Sequence, residues 1–317
     1  MKNIGIPKLK YADIDSFTTD RGIKLRRDFH EPIRILINLG AGIKIFVDNY
    51  PQLQKNTPYI FACTHSCVEE IPALLGTIDR SVYSLCGTTE QLNYNPAMYA
   101  NWLTGFIYVD RLNKYSRKSA LPKMERIIKN GTSILMFPEG GWNNTENLLV
   151  QNIFPGAYYL HQSTNALIVP VSTYKEFGSK KIFLNFGEPL DIKHHNKNDA
   201  LLILRDSLAT LKYQLIEKHS TRIARSSLND DIRLNFMQER KKEYLSVKWR
   251  HDVWEEELTV YCDKHHPTPV EVRQFVDSIK LTKQNLPILY PIIIKRIEDK
   301  KYDFKRYMHN TWQQKES

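Results

Sequence analysis

The chain has 317 residues, enough for one large core domain and a smaller appendage, and its 42% hydrophobic and 25% charged residues are the proportions of a soluble globular protein. A net charge of +10 points to an anionic partner, lipid or nucleic acid. The chain has no zinc-finger spacing, RNA-binding strand signature or glycine-rich phosphate loop, so nucleic acid is set aside.

At the N-terminus, Lys2 to Pro7 lacks the apolar core of a signal peptide. No apolar run reaches the roughly 18 residues that span a bilayer. The closest, Glu31 to Val47, is interrupted by Arg34, Asn38 and Lys44, and reads as an interfacial or core segment. Contact with a membrane is therefore expected to be peripheral, with Arg26, Arg27 and Arg34 as the preferred cations and the basic C-terminal helices next.

From Ile43 onward, short apolar runs alternate with helical stretches, the signature of strands joined by crossover helices. Strands are predicted at Ile43 to Val47, Tyr59 to Thr64, Ser81 to Cys86, Phe106 to Val109, Ser133 to Phe137, Leu167 to Ser172 and Lys181 to Phe186. The clearest helix is predicted from Ser119 to Asn130, with Pro122 in its first turn and Gly131 as its stop. The fold class that follows is α/β, a mainly parallel sheet flanked by helices, with a C-terminal helical extension. In such sheets ligands gather at the carboxyl ends of the strands.

Four blocks fall at such ends. His65 follows an apolar strand, with Glu69 and Glu70 four and five residues on. An imidazole whose second nitrogen donates to a carboxylate is fixed in tautomer and strengthened as a base, and Glu70 is the expected orienter. Gly105 to Val109 is a strand that ends in Asp110 and Arg111, and an exposed guanidinium there suits a phosphate. Phe137-Pro138-Glu139-Gly140-Gly141 breaks a strand and allows close backbone approach. Val169-Pro170-Val171 interrupts an apolar strand with a proline, which points to an edge, a bulge or a mouth position.

In this order the four blocks resemble the glycerolipid acyltransferases, in particular the 1-acylglycerol-3-phosphate acyltransferases. The resemblance runs from about Ile43 to Pro189 and includes Phe154-Pro155-Gly156-Ala157. Two positions depart from the family: Glu70 stands where aspartate is usual, and Gly141-Trp142-Asn143 where threonine, arginine and serine commonly follow. The resemblance implies that His65 takes a proton from an acceptor hydroxyl as it attacks an acyl thioester, while Glu70 holds the imidazole. It also implies that Arg111 grips the acceptor's phosphate and that Phe137, Pro138, Glu139, Gly140 and Gly141 line the substrate site. Glu139 is expected to orient its neighbours rather than react. The implied partners are a lipid acceptor, acyl-CoA or acyl carrier protein as donor, and an anionic membrane surface at the cytoplasmic face; no cofactor and no metal are implied. Alternatives are another lipid or an amine as acceptor, a hydrolase, or a non-catalytic lipid-binding relative.

The four cysteines, Cys63, Cys67, Cys86 and Cys262, form no C-x-x-C pair and read as buried thiols of a reducing compartment. A Cys67–His65 hydrolase is disfavoured by the adjacency of the two positions. Cys262 beside His265 and His266, with His251 upstream, lacks the spacing to close a metal site. From about Asn198 the pattern turns helical, with a stripe of Leu201, Leu204, Leu208, Leu211 and Leu215 that is expected to pack on the sheet. Beyond it, Trp249, Trp254, Tyr261, Tyr290 and Tyr302 read as the core of a small bundle. The chain is thus divided into an N-terminal segment (1–42), a catalytic domain (43–197) and a helical region (198–317).

Overall fold

The computed structural model describes residues 18–40, 42–86, 105–109, 114–143, 148–176 and 178–227, with shorter stretches between 229 and 242 and at 278–285. Two helices, α1 (Asp20–Asp28) and α2 (His30–Gly40), lead into β1 (Lys44–Asn49) and β2 (Ile60–Cys63). Then come α3 (Glu70–Thr77), β3 (Val82–Cys86), β4 (Phe106–Tyr108), α4 (Lys114–Lys129) and β5 (Ser133–Met136). The remainder comprises α5 (Gly156–Thr164), β6 (Ile168–Lys175), β7 (Lys181–Phe186), α6 (Lys197–His219) and a single 3₁₀ turn at Arg225–Ser227.

The seven strands make one sheet in the order β1-β7-β6-β2-β5-β3-β4, parallel throughout except between β6 and β7. Its central strands are apolar on both sides because both faces are covered. Ile60, Ala62, Ile134, Met136 and Ile168 face Ala120, Met124 and Ile127 of α4, Leu160 of α5 and Leu204 and Leu208 of α6. Phe61, Cys63, Leu135, Val169 and Val171 face Ala73, Leu74 and Leu75 of α3, with Ile37 of α2 packed against them. The expected α/β class is therefore the observed one, and the leucine stripe of α6 does lie on the sheet, where Ser172 Oγ donates to Leu208 O at 2.7 Å.

One expectation is corrected. The helix predicted from Ser119 starts at Lys114, so Pro122 is interior. Ser119, expected as the first residue, donates its hydroxyl back to Ser116 O at 2.9 Å, inside the helix. The added turn carries no apolar stripe, and Tyr115 there is exposed, so periodicity gave no sign of it. Of the edge, bulge or mouth position expected for Pro170, the structure gives a bulge in the pairing of an interior strand. Ile168 bridges Leu190 while Val171 pairs with Phe186, so three steps along β6 oppose four on the returning chain. The extra residue is on the returning chain and Pro170 lies opposite it, where the ladder is already interrupted and a missing N–H does least harm.

Most of the expected helical region beyond Ser227 lies outside the described residues, including Trp249, Trp254, Tyr261, Cys262, Tyr290 and Tyr302. At the other end, Thr19 caps α1 by accepting from Gly22 N at 3.2 Å. Arg26 is buried with its guanidinium 5.0 Å from the centre of the Tyr83 ring, Arg27 Nη1 donates to Asn130 O at 3.0 Å, and Arg34 pairs with Glu31 at 2.9 Å. The three arginines favoured for membrane contact thus have intramolecular partners. Besides charged residues such as Arg21 and Lys24, this segment exposes apolar ones: Leu25, Phe29, Ile35, Leu36 and Leu39. No helix among the described residues is long and apolar enough to cross a membrane.

Candidate active site

β2 and β5 are parallel neighbours, with Ala62 beside Met136, so the loops that leave their carboxyl ends lie side by side. One loop carries His65 into α3; the other carries Phe137 to Gly141. Gly140, at φ +72°, closes the second with Gly140 N donating to Phe137 O at 2.9 Å. The loops are tied by hydrogen bonds in both directions. His65 N donates to Glu139 Oε1 at 2.9 Å, and Asn143 N donates to His65 O at 2.7 Å. Phe154 N donates to Pro138 O at 2.7 Å and secures the far side.

Within this frame His65 Nδ1 donates to Glu70 Oε2 at 2.8 Å. The donation fixes the tautomer and makes Nε2 the basic atom of the ring. The imidazole is stacked on Phe137, with centroids 4.1 Å apart, and meets Trp142 edge to face at 6.0 Å. Its side chain is 14% exposed while that of Glu70 is 0% exposed, so the base reaches solvent and its orienting acid does not. Glu70 also accepts from Ser66 N at 2.9 Å, from Ser66 Oγ at 2.7 Å and from Thr173 Oγ1. Its position in the first turn of α3 adds the favourable end of the helix dipole.

Electrostatics separates the two buried acids. Burial pushes the Glu70 carboxyl up, but the hydrogen bond and charge of His65, the charge of Lys212 and the Thr173 hydroxyl outweigh it and hold the group below the usual carboxylate range. Glu139 accepts from only two backbone donors, His65 N and Gln151 N, the latter at 2.8 Å, and burial prevails, raising it to about 7. Glu139 thus touches the backbone of the base's loop through His65 N. Burial pushes the Cys63 and Cys67 thiols well up, which leaves Cys67 a poor nucleophile.

The structure brings together His65, Glu70, Phe137, Pro138, Glu139, Gly140 and Gly141, and turns Glu69 away to pair with Lys175 at 2.7 Å. Arg111 lies outside the described residues; its strand is seen as far as Val109. Gly105, which opens that strand at φ +103°, leaves a Cβ position only 3.1 Å from the Tyr83 ring, and this close approach requires glycine. Sequence reading missed Thr173, Ser66, Asn143 and Lys212. Thr173 was the most legible, one of two neighbouring hydroxyls, with Ser172, that follow the apolar run Ile168 to Val171 of β6. Among the described residues no group of His, Cys, Asp and Glu is clustered to hold a metal ion.

The model of the Acyltransferase family matches residues 44–174, a span that holds β1 to β6 and the His65 and Phe137 loops. Among solved structures, the crystal structure of the 1-acyl-sn-glycerophosphate acyltransferase PlsC from Thermotoga maritima is similar at 18% identity and a TM-score of 0.47, covering 63% of this chain and 82% of that one. No curated protein matches significantly. Over residues 44–174 the chain is thus similar to the acyltransferase family.

Proposed function

We propose that this protein transfers a fatty acyl group from an acyl thioester, of coenzyme A or of acyl carrier protein, to the hydroxyl of 1-acyl-sn-glycerol-3-phosphate, giving phosphatidic acid. The observation that carries the reading is the His65–Glu70 pair at the carboxyl end of β2, within the span similar to the acyltransferase family. His65 Nε2 accepts the hydroxyl proton as the oxygen adds to the thioester carbonyl. The tetrahedral oxyanion then expels the thiolate, and the imidazolium returns its proton to that sulfur. Glu70 stabilises the imidazolium between the two steps, so no covalent acyl-enzyme is needed. Arg111 supplies the fork that grips the phosphate. A second reading, a less charged acceptor, draws support from Trp142, which stands edge-on to His65 where the family commonly has a cation nearby.

Contact with lipid is assigned to the apolar ridge of Leu25, Phe29, Ile35, Leu36 and Leu39, with the net positive charge as a weaker attraction to the anionic inner membrane surface. The functional test is thiol release from acyl-CoA and acyl carrier protein with a panel of acceptors. Release that requires lysophosphatidic acid supports the reading, and equal release with monoacylglycerol supports the second. Release without any acceptor marks a hydrolase, and none at all marks a binding relative.

A further inference from the structure

Lys212 projects from α6, 38 positions beyond the last residue matched by the family model. Its Nζ donates to Thr173 O and lies 3.4 Å from Ser66 Oγ. The hydroxyls of those same two residues donate to Glu70 Oε1. A cation from the far end of the domain thus stands behind both neutral donors that hold the buried carboxylate. We propose that Lys212 is a positioning residue of the catalytic pair, a fixed positive charge that acts through Glu70 to keep His65 in its neutral, proton-accepting form. This rests on His65 being the base under the proposed function.

The physical need for such a charge follows from burial. A carboxylate removed from water beside a neutral imidazole lowers its energy by capturing a proton onto the pair, and the imidazole is then no longer a base. A nearby cation opposes that proton and supports the ionised acid without one. The other charged and titratable groups around Glu70 do not fill this place. Lys175 of β6 is engaged by Glu69, while Glu139, from the loop after β5, adds negative charge and so favours the unwanted proton. Cys63 and Cys67 have thiols pushed well up by burial and stay neutral. The charge of Lys212 is among the causes that lower Glu70.

The test compares the full-length protein with Lys212→Gln, which can still donate to Thr173 O but carries no charge, and with Lys212→Arg. Two readouts are followed from pH 5 to 9: kcat/KM for acceptor-dependent thiol release, and the imidazole ¹⁵N shifts of His65. In Lys212→Gln the acidic limb and the His65 titration midpoint should both move to higher pH by about half a unit or more, whereas Lys212→Arg should keep the original position. Activity of Lys212→Gln should recover towards that of the native protein at the alkaline end. A uniform loss at every pH with an unmoved midpoint would overturn the inference and leave Lys212 structural. Should Lys212→Gln fold poorly by its thermal melt, Lys212→Met provides the same comparison. The ¹⁵N titration needs no turnover, so it decides the matter for Lys212 even if thiol release fails and the proposed function with it.

Discussion

Glu70 and Glu139 are both buried against the His65 loop and both feel the charge of Lys212, yet burial loses at the first and wins at the second because the first also collects an imidazole and two hydroxyls, while the second accepts hydrogen bonds from two backbone N–H groups and is raised further by the charge of Glu70. The difference has separate consequences for activity and stability. Replacing Glu70 by Gln should lower kcat by roughly 10-fold to 10³-fold with KM little changed, whereas Glu69→Gln, which loses only its bond to Lys175, should stay within about threefold of native activity in the same steady-state assay. A damaging Glu69→Gln would show that the orienting acid is one residue earlier. For Glu139, the folded-state value of about 7 lies above the ordinary 4.5, so the native protein holds a proton that the unfolded chain releases. Its contribution to stability is then fully present below about pH 4.5, falls as pH rises, and is constant above about pH 7, at no more than about 1.4 kcal/mol per pH unit. Urea unfolding at pH 5 and pH 8 should show a smaller loss of stability between them for Glu139→Gln than for the native protein. Identical differences would mean that Glu139 is ionised throughout.

Among the elements, the seven strands were legible because each is a short apolar run between polar breaks, and all seven occur within three residues of their expected bounds. Less legible was what depends on distant pairing. β6 continues through Thr173 to Lys175 because β7 returns antiparallel beside it, and nothing local to residues 172–175 announces that partner. Glu70 and Thr173 are 103 positions apart, and Ser66 and Lys212 are 146 apart, so the chemical setting of the pair could not be read from spacing even though the pair itself could. The glycine that opens β4 was legible as a motif but not as a cause. Its positive φ and the Tyr83 ring beneath it predict that Gly105→Ala lowers stability by about 1–3 kcal/mol in chemical unfolding. An unchanged unfolding midpoint would show that β4 shifts freely to admit a side chain.

Over the whole molecule, sequence reading placed membrane attraction in the arginines near the N-terminus, whereas the fold occupies those arginines and exposes the apolar residues between them. Arg26 is covered by packing on Tyr83, and Leu36 and Leu39 are 68% and 80% exposed. Inserting one leucine into a bilayer is favourable by about 1.5–3 kcal/mol, against about 1 kcal/mol for each basic residue near an anionic surface. The ridge should therefore dominate. A protein with both Leu36→Asp and Leu39→Asp is expected to lose most of its cosedimentation with anionic vesicles, while added salt releases the native protein only in part. Complete release by salt, with the double variant binding normally, would return the contact to charge.

The central claim is that His65 is the base of an acyl transfer, and kcat for thiol release from an acyl thioester in the presence of lysophosphatidic acid tests it most directly. His65→Ala should lower kcat by about 10²-fold to 10⁴-fold with its thermal melt essentially unchanged, since the imidazole reaches solvent and removing it leaves the core intact. Near-native turnover by a folded His65→Ala protein would contradict the account.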